Sequence, residues 1–289
     1  MTAERSRPLP GAAVANGDAE ASSVPRAADT SGPAEPVGRR ISTDHARLLE
    51  ASAIALDVAA EAGVHSVSAV DDLPREFLQY GVKAVPALVF SYAGIDAVDV
   101  PQLRPDKLWP GPDGSAAKYL FPSGAVTPVT VHPRMRARVV DVQKPLVFVE
   151  GTKQYLAAGS ALRDDTGYAA VGMSGCWGWS QDRQMAPSLR ALPLDGRDVY
   201  LLFDADRTAN LGVYEAGKAL AEQLRTVRGV SRVLYVALPA TGSAGLDDVL
   251  AQVPELERSG VCAGSWRPPV STRVSGRGLP AAGSSTSGG

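Results

Sequence analysis

From Lys144 onward, short apolar runs alternate with stretches of helical period. "PLVFVE" (145–150), "YAAVGM" (168–173), "DVYLLFD" (198–204) and "VSRVLYVALP" (230–239) are the apolar runs. "TKQYLAAGSALRD" (152–164) between the first two is compatible with a helix. After the third run, Val213, Ala216, Leu220, Leu224 and Val227 keep one helical face apolar, and Arg225 and Arg228 near its end suit the helix dipole. Continuous apolar strands alternating with helices predict a parallel sheet covered on both faces, an α/β fold.

Upstream the pattern differs. "HARLLEASAI" (45–54) reads as a helix with Ser42, Thr43 and Asp44 available as caps. "ALDVAAEAG" reads as a second helix ending at Gly63, and "DDLPREFLQYG" (71–81) as a short third one. The alternation then becomes strand-like in "ALVFSY" (87–92), "DAVDVPQLR" (96–104) and "AKYLF" (117–121). These elements form a small α+β region.

Both ends lack periodicity. Residues 1–40 and 263–289 are rich in Ala, Pro, Gly and Ser and cannot bury enough apolar surface to offset ordering, so both are expected to be disordered. The predicted order is a disordered segment 1–40, an α+β region 41–143, an α/β domain 144–262 and a tail 263–289.

Composition narrows the function classes. A net charge of -2 gives no global field for nucleic acid, so any such contact needs a local basic patch. Two cysteines, Cys176 and Cys262, with no CxxC pair exclude a zinc ribbon on ligand count and fit a reducing compartment. No apolar run approaches the roughly 18 residues that span a membrane. The N-terminus has no apolar signal core, so the expectation is a cytoplasmic protein without a membrane partner.

The chemistry gathers at the ends of the apolar runs, where an open parallel sheet forms its crevice. Glu150 closes the first run, Asp204 and Asp206 close the third, and Asp247 and Asp248 open the helix after the fourth. Carboxylates about 4 Å apart repel by roughly 4 kcal/mol at an effective dielectric near 20. A hard divalent cation reverses that sign, since Mg²⁺ takes carboxylate oxygens, water and substrate phosphates. Helix capping is the plainer alternative, by Asp204 for the following helix and by Asp247 or Asp248 for "VLAQV".

The ordered set "VEGTKQ" (149–154), "GMSGCWGW" (172–179), "GRDVYLLFDADRTAN" (196–210) and "LPATGSAGLDDVLA" (238–251) resembles the Toprim domain of primases, topoisomerases and some nucleases. It looks closest to the Toprim-like proteins grouped as domain of unknown function 3854, found in primase-like proteins of mobile genetic elements. "HARLLEASAI" and "LRPD…KYLFP" also resemble that family's upstream region, so the resemblance covers about 41–252. It implies a Toprim-like sheet, Glu150 as acid/base, and Asp204, Asp206 and Asp248 as ligands of Mg²⁺ (or Mn²⁺), with Asp247 an accessory acid. The implied activity is primase-type nucleotidyl transfer on single-stranded or template DNA during plasmid, phage or integrative-element replication, beside a separately encoded helicase. The alternatives are a Toprim-type nuclease and a non-catalytic nucleic-acid-binding accessory to that helicase. Relatives commonly carry a second lysine after the Glu motif and a lysine before the last glycine. Here Gln154 follows Lys153, and Ala244 precedes Gly245.

Four further features bear on function. Arg104, Lys107 and Lys118, with Trp109 and Tyr119 nearby, suit a single-strand groove, and Lys153 suits a phosphate contact; the plain alternative is a solvated hairpin face over two core aromatics. "GVYEAGKA" (212–219) imitates a P-loop but has Ala219 where the Mg²⁺-binding Ser/Thr belongs and lies inside a helix pattern, so Gly217 is read as a packing glycine. "SGCWGWS" reads either as a rim over the acidic site or as a packed loop, with Cys176 a small buried residue. His45, His65 and His132 are dispersed in sequence and receive no role.

Overall fold

The computed structural model describes residues 40–110, 116–164, 167–182, 184–205, 210–240, 242 and 244–266. The chain opens with α1 (Thr43–Glu50) and α2 (Leu56–Glu61), and Ser42 caps the first by accepting the His45 N–H. β1 (His65–Val67) follows, then 3-10 turns at Val70–Asp72 and Arg75–Ala84. The helix predicted over 71–81 is thus broken into tight turns, because Pro74 lies between them and Gly81 takes φ +57°.

β2 (Ala87–Ala93) pairs antiparallel with β1 and with β3 (Asp99–Pro105), giving a three-stranded sheet. A small ribbon of β4 (Trp109–Pro110) and β5 (Ala116–Ala117) follows. Of the strand predicted over 117–121, only the start joins that ribbon, and Leu120 makes an isolated bridge to Leu103.

The second half begins with α3 (Arg136–Val140), β6 (Leu146–Glu150), α4 (Thr152–Ala161) and β7 (Ala169–Met173). The short hairpin β8 (Ser180–Gln181) and β9 (Gln184–Met185) comes next, then α5 (Pro187–Ala191), β10 (Asp198–Leu202), α6 (Leu211–Arg228), β11 (Arg232–Val236), α7 (Leu246–Ala251) and α8 (Arg258–Trp266). α8 runs past the boundary expected at 262. The four long strands make a parallel sheet in the order β11–β10–β6–β7, as the apolar runs require. α4 packs on β6 and β7, α3 on β7 and α6 on β11. Among the described residues, no helix is long and apolar enough to cross a membrane.

β6 and β10 are central and buried on both faces, and Leu146, Val147, Phe148, Val149, Leu201 and Leu202 are fully enclosed. Each such side chain contributes about 2 kcal/mol relative to exposure. The same core takes in Leu49, Ile54, Leu88 and Phe90 from the upstream region, so apolar packing runs across the boundary expected at 143.

At the amino end of the sheet, Arg197 is only 1% exposed. Its guanidinium donates to the carbonyls of Lys144 (2.5 Å), Val139 (2.6 Å), Arg138 (3.0 Å) and Pro193 (3.2 Å). Burial pushes its pKa down to about 10, opposed by the charge of Asp141. One cation therefore satisfies the end of α3 and the entries to β6 and β10 together.

Candidate metal centre at the carboxyl ends of the strands

The site is built by two neighbouring parallel strands. Val149 of β6 is in register with Leu202 of β10. Glu150 follows the first directly, and Asp204 lies two residues beyond the second. Phe203 between them is buried at 1% exposure and anchors the chain as it leaves the sheet. A Cβ on Gly217 would stand 3.0 Å from the Phe203 ring, so the glycine in the P-loop imitation serves close packing of α6.

α6 is capped by Asn210, whose side-chain oxygen accepts from the N–H groups of Gly212 (3.1 Å) and Val213 (3.5 Å). Asp204 is held from the side. Gln154 Nε2 on α4 donates to Asp204 Oδ1, and Gln154 Oε1 accepts the Leu246 N–H at 3.0 Å. A Cβ on Gly245 would lie 2.5 Å from the Gln154 amide carbon, so α7 reaches this clamp only with glycine there. The Ala205 N–H donates to the Ala244 carbonyl at 3.0 Å, tying the two loops together.

The acidic pair at α7 divides its tasks. Asp248 is exposed and accepts the Gly245 N–H at 3.0 Å, a capping arrangement that matches the plainer sequence reading. Asp247 is buried and pairs with Lys153 Nζ at 2.9 Å. Lys153 also donates to Ser52 Oγ at 2.8 Å, so the lysine expected to face phosphate is turned toward the loop after α1. Asp206 lies outside the described residues. Among the described residues, no group of three His, Cys, Asp or Glu side chains is arranged to hold a metal ion.

The upstream region braces the same corner. Thr152, the first residue of α4, donates to Gln102 Oε1 (2.6 Å) and receives the Tyr92 hydroxyl (2.5 Å), all three buried. Burial pushes the Tyr92 hydroxyl well above its ordinary range. Burial also pushes Tyr119 up, opposed by the charges of Lys153 and Arg104 and by the closeness of Arg104 to its phenolic hydroxyl. Arg104 and Tyr119 are therefore neighbours of the Lys153–Asp247 pair. Lys107 and Lys118 are solvent-exposed, and Trp109 packs edge-on against Tyr80 with ring centres 4.8 Å apart.

The "SGCWGWS" loop leaves β7 just after Met173, the register partner of Glu150. Burial first and the Glu150 charge second push the Cys176 thiol up, and Asp204 adds in the same direction. The loop thus borders both carboxylates. By contrast, a cleft of about 780 Å³ lies elsewhere and mixes both signs of charge, with Asp57, Glu255, Arg163 and Arg258 on its walls.

Sequence reasoning missed two constellations. His45 is buried, with Nδ1 on Ser66 Oγ (2.7 Å) and Nε2 on Asp106 Oδ1 (2.8 Å). Ser66 Oγ also accepts the Ser42 N–H at 2.7 Å, so the chain works as a latch between α1, β1 and the turn after β3. Its members are 21 and 61 residues apart, beyond the reach of spacing. The Gln154 clamp was visible only as a missing lysine.

Comparison with solved structures gives the fold a context. The chain is similar to the Aquifex aeolicus primase fragment holding zinc-binding and RNA polymerase domains, with a TM-score of 0.51, 13% identity, and coverage of 78% of this chain and 56% of that one. It thus spans little more than half of that fragment's length. It is also similar to the primase fragment of the bacteriophage T7 primase-helicase protein, with a TM-score of 0.40, 14% identity, and coverage of 74% and 75%. At such identities the likeness to the Aquifex fragment is one of fold, here a mixed α/β fold of primase type. No curated protein matches the chain. Residues 137–255, which contain Glu150, Asp204, Gln154 and Asp247, match the family model described as Domain of unknown function (DUF3854).

Proposed function

We propose that the chain carries a Toprim-type, Mg²⁺-dependent site that acts on nucleic acid, with primase-type nucleotidyl transfer as its reaction. The observation that carries this reading is Asp204. It sits just past the end of a parallel strand whose neighbour ends in Glu150, and it is oriented by Gln154. Two carboxylates brought to neighbouring strand ends suit a bound cation.

The donor chemistry fits the metal. Mg²⁺ is usually bound through one or two carboxylates plus water and substrate phosphate, without a closed protein cage. Asp204 would hold it, joined by Asp206, and when bound the ion would neutralise triphosphate charge. Glu150 would take the proton from an attacking 3′-hydroxyl. Gln154 orients Asp204 through its Oδ1. Arg104, beside Tyr119, supplies the basic contact for the backbone of a template strand.

The test is synthesis from nucleoside triphosphates on a single-stranded template with Mg²⁺ or Mn²⁺. Activity is expected in the wild type and a loss of at least about 100-fold in Glu150→Gln and in Asp204→Asn. Cleavage of labelled DNA without synthesis would move the reading to a nuclease. A second reading is supported by Lys153, whose ammonium is already engaged by Asp247 and Ser52. A Glu-motif lysine already held by the protein suits a non-catalytic accessory to a separate helicase. Single-stranded DNA binding that survives chelation, with neither synthesis nor cleavage, would favour it.

A further inference from the structure

We infer that Trp177 is a stacking platform for a nucleobase, set on the rim of the acidic site. This assignment rests on the nucleic-acid reading above. Large apolar side chains left in water are unremarkable one by one, so exposure alone does not carry it. Three independent features of Trp177 do.

The first is support. Trp177 is 43% exposed, while Trp179 is 2% exposed, and their rings stack with centres 5.8 Å apart and planes 27° from parallel. One indole is sunk in the core and holds the other with part of its surface in solvent. A backed indole loses little freedom when a second ring settles on it.

The second is rigidity. The Gly178 N–H donates to the Gly175 carbonyl (2.9 Å) and the Ser180 N–H to the Trp177 carbonyl (3.0 Å). A Cβ on Gly178 would lie 2.5 Å from the Ser174 nitrogen, so the turn closes this tightly only with glycine. Ser174 Oγ is in turn hydrogen-bonded to Thr127 Oγ1 at 2.5 Å. The turn is pinned at both ends.

The third is place. The loop starts immediately beyond Met173, the partner of Glu150 in the sheet, and Cys176 senses the charges of Glu150 and Asp204. A ligand whose phosphates meet those carboxylates through a cation would bring its base toward this rim. Stacking on an aromatic face tolerates every base, which fits a protein that reads backbone and stack rather than sequence. The base could belong to a nucleoside triphosphate or to single-stranded DNA, and the ligand chemistry is the same.

The experiment uses the full chain, wild type against Trp177→Ala, Trp177→Phe and Asp204→Asn. The probes are a dT oligonucleotide, an abasic phosphodiester of equal length and ATP, each with Mg²⁺ and with EDTA, followed by anisotropy and tryptophan fluorescence. Trp177→Ala is expected to weaken dT or ATP binding by roughly tenfold or more, Trp177→Phe much less, and the abasic strand not at all. A loss confined to dT assigns the base to the strand, and a loss confined to ATP assigns it to the nucleotide. Equal affinities of wild type and Trp177→Ala for both probes would overturn the platform. So would equal binding of dT and abasic strands together with unchanged ATP binding, or no binding of any probe. The metal reading fails separately, if EDTA and Asp204→Asn change nothing while Trp177→Ala still weakens binding.

Discussion

The two ends of the parallel sheet solve opposite problems. At the amino end, Arg197 is sealed from water with its guanidinium distributed over four carbonyls, and Asp198 pairs with Arg232 beside it. Charge there is matched by acceptors within the protein. At the carboxyl end, Glu150 and Asp204 are brought to neighbouring strand ends, the half-exposed Cys176 thiol lies near both, and Asp204 accepts a hydrogen bond from the Gln154 amide. The first end is arranged for stability. The second brings two carboxylates near one another, an arrangement that a bound cation would stabilise.

That contrast can be broken most forcefully at Arg197. Arg197→Met leaves buried carbonyls without donors and should cost about 3 kcal/mol, read from urea unfolding midpoints. Arg197→Lys should recover only part of the loss, because one ammonium cannot span carbonyls contributed by α3 and by the entries to β6 and β10. If Arg197→Met unfolds at the wild-type midpoint, the amino end is not the structural anchor described.

The next effect belongs to Gln154. Gln154→Leu strands the Leu246 N–H and releases Asp204, so a loss of about 2 kcal/mol is expected. The same change should loosen Mn²⁺ binding, whereas Arg197→Lys should leave metal affinity alone once folded. Measured side by side, the two variants separate a group that holds the fold from one that holds the site.

A pH series distinguishes either end from a third place. His132 donates from Nε2 to the Val58 carbonyl and accepts the Arg134 N–H at Nδ1, so it is built in as the neutral ring. Burial lowers its pKa below the ordinary 6.5, aided by Arg134 and Arg138 and opposed by the Val58 bond and by Glu61. The unfolded state therefore binds more protons, and stability that is complete above 6.5 drains away as pH falls beneath it. Urea midpoints at pH 7.5 and pH 5.5 should differ in the wild type and converge in His132→Gln. The smallest effect is expected at the exposed Asp198–Arg232 pair, where Arg232→Ala should cost less than about 1 kcal/mol.

How much of this was legible in the sequence depends on range. The four strands of the parallel sheet stood out because each is enclosed on both faces and so cannot alternate. Glu150 and Asp204 were legible because strand ends are where an open sheet leaves a crevice. The cap of α6 was not, since Asp204 and Asn210 are both good caps and only the fold shows that Asn210 takes it. Arg197 reads as one more surface charge in "DGRDV", because its acceptors lie up to 59 residues away. His45, Ser66 and Asp106 are likewise united only by the fold. Lys153 suits a phosphate contact by its place in the Glu motif, whereas its position against Asp247 and Ser52 depends on α7 and on the loop after α1.

The central claim is that the carboxyl end is a metal site held at some expense of stability. Mn²⁺ titration of wild type and Asp204→Asn, with thermal unfolding of both apoproteins, tests it most directly. The account predicts at least tenfold weaker Mn²⁺ binding in Asp204→Asn, with an unfolding temperature equal to or above the wild type. Equal Mn²⁺ affinity in the two proteins, or a variant that loses stability while still binding the ion, would contradict it.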